Sequence, residues 1–254
     1  PVAAQPTVVF VHGAANDHSV WTLQSRWFAH HGWNVLAVDL PGHGRSGGAA
    51  LASVEAIADW LGSLLDAAGV ERAALVGHSL GALAALACAA RHPARVTRIA
   101  LIGPSVPMPV TDLLLAAAKT DDHAAFELMN GWSVSAGKQL GGNAVPGMWL
   151  TGNAMRLMER TRPGVLYTDL AACNAYAEGL PHAAAVRAPA RVLTGQRDLM
   201  APPRNAEALR AALADVRTVE LPETGHALMA EQPDAVLDTL RAFLVPSPGG
   251  GGAT

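Results

Sequence analysis

One pentapeptide constrains this chain more than any other feature: Gly77-His78-Ser79-Leu80-Gly81. A short apolar run, Ala73–Gly77, leads into it, and Leu80–Arg91, an alanine- and leucine-rich stretch of helical length, leaves it at once. A strand that becomes a helix within one residue turns too sharply for bulky side chains two positions before or after the turn. Glycine stands at both places. Such a turn lifts the Ser79 hydroxyl off the end of a sheet. It also sets Ser79 at a helix N-terminus, where unpaired N–H groups favour developing negative charge. Five residues of this pattern arise by chance, but the strand–turn–helix context makes the signal specific.

The rest of the chain keeps the same rhythm. Thr7–His12, Asn34–Leu40, Val96–Ile102, Ala190–Thr194 and Arg217–Leu221 read as further short apolar strands. Helices are predicted over Val20–His31, Ser53–Ala68, Asn205–Ala214 and Ala235–Leu244. In the second, Ser53 caps and Val54, Ile57, Trp60, Leu61, Leu64 and Leu65 form the apolar face. Alternating strands and helices predict an α/β fold with a parallel sheet covered on both faces. The 254 residues suit one large domain or a domain with an insertion, and at 50% hydrophobic and 15% charged they supply a real core.

Between Pro104 and Arg187 the rhythm stops, and helical pieces are broken by glycine and proline. An insertion after a sheet strand sits over the crevice where open α/β sheets bind ligands, so this segment is read as a helical cap. The predicted division is 1–103 and 188–245 for the core, 104–187 for the cap and 246–254 for a flexible tail. Five of the seven methionines and two tryptophans fall in the cap. Such side chains suit an adaptable apolar pocket, although core packing alone also employs them. Trp132, Met148, Trp149, Met200, Leu228 and Met229 are the expected lining residues.

Several function classes are excluded. A net charge of −3 lacks the basic excess of a nucleic-acid binder. The longest apolar run, near Leu80–Ala90, is too short to span a bilayer, and the first residues carry no basic start or apolar signal core. Cys88 and Cys173 read as free thiols. The expectation is a cytoplasmic protein without nucleic-acid or membrane partners, its oligomeric state left open. No metal-ligand spacing, phosphate loop or dinucleotide fingerprint is found, so no metal and no cofactor are expected.

The motifs match a family in order. His12-Gly13 follows the first strand, Asp39-Leu40-Pro41-Gly42-His43-Gly44-Arg45-Ser46 the second, and the Ser79 turn the third. Gly195-Gln196-Arg197-Asp198 follows the penultimate strand and Gly225-His226 the last. Over nearly its whole length the chain resembles the α/β-hydrolase fold, and within it small capped carboxylesterases of the pimeloyl-ACP methyl ester esterase-like group. The resemblance implies a mostly parallel sheet of about six strands flanked by helices. The leading β-hairpin of larger members is expected to be absent or reduced, since six residues precede the first strand.

Chemistry then assigns roles. A serine hydroxyl is a weak nucleophile until a base takes its proton. His226 is the candidate base, and Asp198 the acid that fixes its tautomer. The resemblance implies an oxyanion hole from the N–H groups of Ala14 and Leu80. His12 is expected to anchor the oxyanion loop, His43 to be structural, Asp39 and Arg45 to brace their loop, and His78 to point away from the crevice. The expected activity is hydrolysis of a small-molecule, largely apolar carboxylic ester through an acyl-serine. A carbon–carbon hydrolase, an acyl transferase or perhydrolase on the same triad, and a ligand receptor with a retained triad are the alternatives.

Overall fold

A computed structural model gives the fold and describes residues 1–2, 5–142, 144 and 147–245. The expected flexible tail from residue 246 onward lies outside the described residues. Six strands form one sheet: β1 (Thr7–Val11), β2 (Asn34–Ala37), β3 (Ala73–His78), β4 (Val96–Ile102), β5 (Ala190–Gly195) and β6 (Val216–Leu221). Their order is β2-β1-β3-β4-β5-β6, and every pairing is parallel.

Helices α1 (Thr22–His30), α2 (Val54–Ala67) and α3 (Leu80–Arg91) lie between the first four strands. Between β4 and β5 run α4 (Asp112–Lys119), α5 (Ala124–Ser133), α6 (Ala136–Gln139), α7 (Leu150–Met158), α8 (Val165–Ala175) and α9 (Gly179–Ala185). Then α10 (Glu207–Ala212) precedes β6, and α11 (Leu228–Glu231) and α12 (Pro233–Leu244) follow it. None of the described helices is long and apolar enough to cross a membrane.

Side-chain alternation sorts the core into two layers. Val9, Val11, Leu75, Ile99, Leu101 and Val192 face one side and pack with Ile57, Leu61 and Leu65 of α2, Leu83 and Leu86 of α3 and Leu209 of α10. Val8, Phe10, Val76, Ala100, Ile102 and Leu193 face the other and pack with Phe28 of α1 and Val236 and Leu240 of α12. Successive strand residues point to opposite faces, so the central strands β1 and β3 are apolar on both, while the edge strand β6 exposes Arg217, Thr218 and Glu220. A third cluster joins Leu114, Met129, Met158, Leu166 and Leu170 of the inserted helices to Ala14 and Ala15 at the end of β1. The insertion thus sits on the carboxyl edge of the sheet. Its last helix, α9, packs on the main core through Ala183.

β2 ends at Ala37 rather than at the expected Leu40. The Leu40 N–H is taken by the His12 side chain, 3.1 Å from Nε2, so the strand ladder cannot continue. The capping of α2 follows the sequence reading, because Ser53 Oγ accepts the Ala56 N–H at 3.1 Å. Ser53→Ala should therefore lower stability by about 1 kcal/mol, and Ser53→Gly by only a few tenths. Urea denaturation of the two variants beside wild type measures both.

Candidate active site

β1 lies between β2 and β3, so the chain leaves β1 in one direction and returns to the far side of it for β3. The loops after β1 and β3 part there, opening a crevice at the carboxyl edge. Ser79 stands in that crevice with φ 53° and ψ −117°, a conformation that side chains other than glycine rarely hold. Its surroundings enforce it. The Ser79 N–H reaches Ile102 O at 2.9 Å, and Ser79 O accepts the Ala82 N–H at 2.8 Å. The flanking glycines have a steric cause. A Cβ on Gly77 would lie 2.1 Å from Gly81 O, and one on Gly81 would lie 2.3 Å from Val11 O.

Asp198 and His226 come together from the ends of β5 and β6. His226 Nδ1–H donates to Asp198 Oδ2 at 2.7 Å. Asp198 Oδ1 accepts the N–H groups of Met200 and Ala201 at 2.9 and 2.7 Å. Burial works to raise the Asp198 pKa. The His226 charge and hydrogen bond and the two N–H donors outweigh it, and the net shift is downward. With Nδ1 committed, the neutral imidazole keeps its acceptor nitrogen at Nε2. Gly103 makes room for this pair: a Cβ there would sit 3.1 Å from His226 Cε1.

His78 corrects an expectation. It does not turn away but lines the crevice, its ring 4.7 Å from that of His226 and its Nε2–H donating to His226 O at 2.9 Å. Burial, then the neighbouring His226 charge, push its pKa down to about 3, so it stays neutral. Strand alternation fails as a guide here because the backbone leaves the extended region at the very next residue.

Four further side chains fix the loop after β1. His12 Nδ1–H donates to Gly13 O at 2.8 Å while its Nε2 accepts the Leu40 N–H. Burial and the nearby His43 charge lower its pKa to about 4. Asp39 accepts the N–H groups of His18 and Arg45 at 2.7 and 2.9 Å, so the bracing role of position 45 belongs to its backbone. His43 and Asp169 form a buried ion pair, Nε2 to Oδ2 at 2.8 Å, each side chain 2% exposed. His43 Nδ1 lies 3.0 Å from Pro41 O, so both ring nitrogens face oxygen acceptors, an arrangement that favours the doubly protonated ring. Burial opposes that charge, but Asp169 and the Pro41 and Leu40 carbonyls prevail and the His43 pKa is raised. Asp169 Oδ2 also accepts the Ala15 N–H at 3.0 Å, holding a residue whose φ is +54°.

On the other side of the crevice Glu231, fully buried, accepts the Gly225 N–H at 3.0 Å and the Ser135 hydroxyl at 2.5 Å. The Ala227 N–H donates to Ser133 O at 2.9 Å. Both neighbours of His226 are thereby tied to the end of α5 and the residues just after it. Asp169 and Glu231 escaped the sequence reading. Asp169 left one signal, as the lone charge between Arg162 and Glu178.

A cavity of about 690 Å³ opens over Ser79 and His226. Ala14, Trp132, Met148, Met200 and Met229 line it. Two expected lining residues lie elsewhere. Trp149 is 69% exposed and rests its ring against Gly152, where a Cβ would meet it at 2.2 Å. Leu228 is wholly buried in the core layer with α12. Leu80 is buried at the first position of α3, so its contribution to the crevice can only be its backbone. Two other serines have engaged hydroxyls: Ser105 donates to Pro107 O and Ser133, on the cavity wall, to Met129 O, both at 2.6 Å. Asp17, His18 and Asp39 bring ligand-type atoms within 4.8 Å of one another. Three of their carboxylate oxygens accept hydrogen bonds within the loop: Asp17 Oδ1 from the Ser19 N–H, Asp39 Oδ1 from the His18 N–H and Asp39 Oδ2 from the Arg45 N–H. The cluster therefore reads as a loop brace.

Removing one partner of a buried ion pair costs about 3–5 kcal/mol, so Asp169→Ala should lose that much stability in urea denaturation. A pH dependence follows from His43. Its raised folded pKa means that the folded state binds the proton more tightly than the unfolded chain. The stabilisation is complete below the ordinary histidine value near 6.5 and fades as pH rises through the folded value. The gap in unfolding midpoint between wild type and His43→Gln should narrow steadily from pH 6 to pH 9.

With this geometry in view, known proteins can be compared. The chain is 28% identical over 248 residues to a Shigella flexneri protein provisionally assigned as the carbamate hydrolase RutD, across 92% of this chain and 89% of that one. It is similar to the enol-lactonase of Burkholderia xenovorans LB400, with a TM-score of 0.86 and 25% identity over 96% and 93% of the two chains. It also shares its fold with a thermophilic esterase of Thermogutta terrifontis, with a TM-score of 0.83 and 22% identity over 94% and 89%. Residues 8–239 match the alpha/beta hydrolase family, and the chain belongs to that family of hydrolases.

Proposed function

We propose that the chain is a serine esterase, cleaving small to medium, largely apolar carboxylic esters through an acyl-serine intermediate. One observation carries the reading. Ser79, on a strained turn, shares a cavity with a histidine whose Nδ1–H is held by a buried carboxylate at 2.7 Å. In the proposed cycle His226 Nε2 takes the Ser79 proton as Oγ attacks the ester carbonyl. The N–H groups of Ala14 and Leu80 receive the oxyanion. His226 returns the proton to the leaving alcohol, and water, activated by the same ring, frees the acid and restores Ser79. Asp198 holds the tautomer and stabilises the imidazolium. His78, neutral and bonded to the His226 carbonyl, supports the base without competing for its proton.

The apolar wall favours an apolar acyl or alcohol group, and the cavity volume suits a ligand of metabolite size. We place the enzyme in a reducing compartment, the cytoplasm, because Cys88 and Cys173 are free and buried. A second reading, carbamate cleavage by the same machinery, is favoured by the likeness to RutD.

Hydrolysis of p-nitrophenyl esters from acetate to dodecanoate should show a clear chain-length optimum. A p-nitrophenyl carbamate cleaved faster than every ester would favour the second reading. By analogy with other triads, Ser79→Ala should lower turnover by about 10⁶ and Asp198→Asn by about 10⁴, with both proteins folded. Substantial turnover by Ser79→Ala would move the nucleophile elsewhere. Wild-type rates in Asp198→Asn would do the same for the acid.

A further inference from the structure

The charged groups of the cavity point to a substrate class within the esterase reading, on which this inference rests. Six of the seven methionines line it: Met108, Met129, Met148, Met158, Met200 and Met229. Apart from His78, His226 and the buried thiol of Cys173, whose pKa burial raises, the ionisable side chains described on its wall are two arginines, Arg156 and Arg160. Among the described residues no aspartate or glutamate lines it. The chain as a whole carries more acid than base, 21 against 18, so the cavity runs against the protein's overall charge.

The arginines come from one place. Asn153 and Arg156 lie on α7, and Arg160 stands in the turn that closes it, its N–H reaching Leu157 O at 3.1 Å. Spacings of three and four put these residues on one helical face, and all three line the cavity. The next residue, Thr161, donates its hydroxyl to Ala15 O at 3.2 Å, which pins the turn to the loop that carries Ala14. The two cations differ in occupancy. Arg156 is bound to Glu159 at 2.6 Å, and Glu159 also pairs with His123 at 2.9 Å. The Arg160 guanidinium is exposed and has no partner among the described residues. An unpaired guanidinium at the mouth of a methionine-lined cavity offers a planar fork to a carboxylate, whose two oxygens it can bind together.

We propose that the preferred substrate is an ester that also carries a carboxylate, and that Arg160 recognises that group while the methionines hold the carbon chain. Arg156, already paired, adds a weaker field. Filling the mouth with substrate displaces water, which strengthens the pair beyond what an exposed arginine gives on the free surface.

The test uses substrates matched in carbon count. Mono-p-nitrophenyl glutarate is p-nitrophenyl pentanoate with a carboxylate at the chain end. 4-Methylphenyl acetate and 4-acetoxybenzoate make the same comparison on the alcohol side. For Arg160→Gln, kcat/KM should fall about tenfold more on the anionic member of at least one pair than on its neutral partner. The change should lie mainly in KM and shrink in high salt. Equal falls within both pairs would overturn the proposal. A protein that cleaves no ester would sink the esterase reading instead. The carboxylate site is then read separately, by titrating wild type and Arg160→Gln with glutarate and following tryptophan fluorescence, since Trp132 lines the cavity. Weaker binding by the variant supports the site, and identical binding overturns it.

Discussion

Everything in this site depends on a place where two backbones touch with no side chain between them. At Gly81 the first turn of α3 lies against the carbonyl of Val11, and at Gly77 the end of β3 lies against the carbonyl of Gly81. Those contacts set α3 directly above the junction of β1 and β3, where the sheet order reverses. Ser79 is then held in the left-handed region by hydrogen bonds from both sides. The strain is sustained because β3 is fully buried and paired with β4, whose last four residues are buried. The same close approach brings Gly13 beside Ser79, so the loop after β1 and the serine share one wall.

Around that contact the histidines divide by what their two nitrogens meet. His12 and His78 are buried and neutral, each donating through one nitrogen to a carbonyl. His43 meets an oxygen acceptor on both, and because one is the carboxylate of Asp169 its charged form is favoured. His226 has a carboxylate on Nδ1 and the cavity beside it. One residue type thus serves as spacer, as half of an ion pair and as candidate base. Burial alone does not separate these cases, since all four rings are buried. The partners separate them.

The sheet was legible because its central strands are apolar on both faces, and the short runs at its edges recur between helices in the same rhythm. The turn at Ser79 and the positions of Asp198 and His226 were legible for a related reason: each sits at the boundary between a strand and a loop, where the pattern changes. Side-chain direction inside the loops was not. Whether Trp149 faces the cavity or lies on Gly152 depends on the path of the chain between α6 and α7, which no periodicity encodes. Leu228 and Met229 are sequence neighbours on a four-residue helix, and its turn carries one to the core and the other to the cavity. Asp169 and Glu231 were illegible because their partners, His43, Ala15 and Ser135, are remote in sequence and partly backbone groups.

Those two carboxylates explain how the inserted helices are joined to the sheet. An apolar interface alone would let α4, α5, α7 and α8 slide, since methionine and leucine repack at little cost. Asp169 fastens α8 to the loop after β1, and Glu231 fastens the segment after α5 to the loop that carries His226. Lifting either segment would leave a carboxylate to find new donors, and would strip an N–H bond from Ala15 or Ala227 in the same movement. The groups that would receive an oxyanion and those that would move a proton are therefore anchored through the insertion itself. Removing or loosening these helices would disturb the machinery below them as well as the cavity above it.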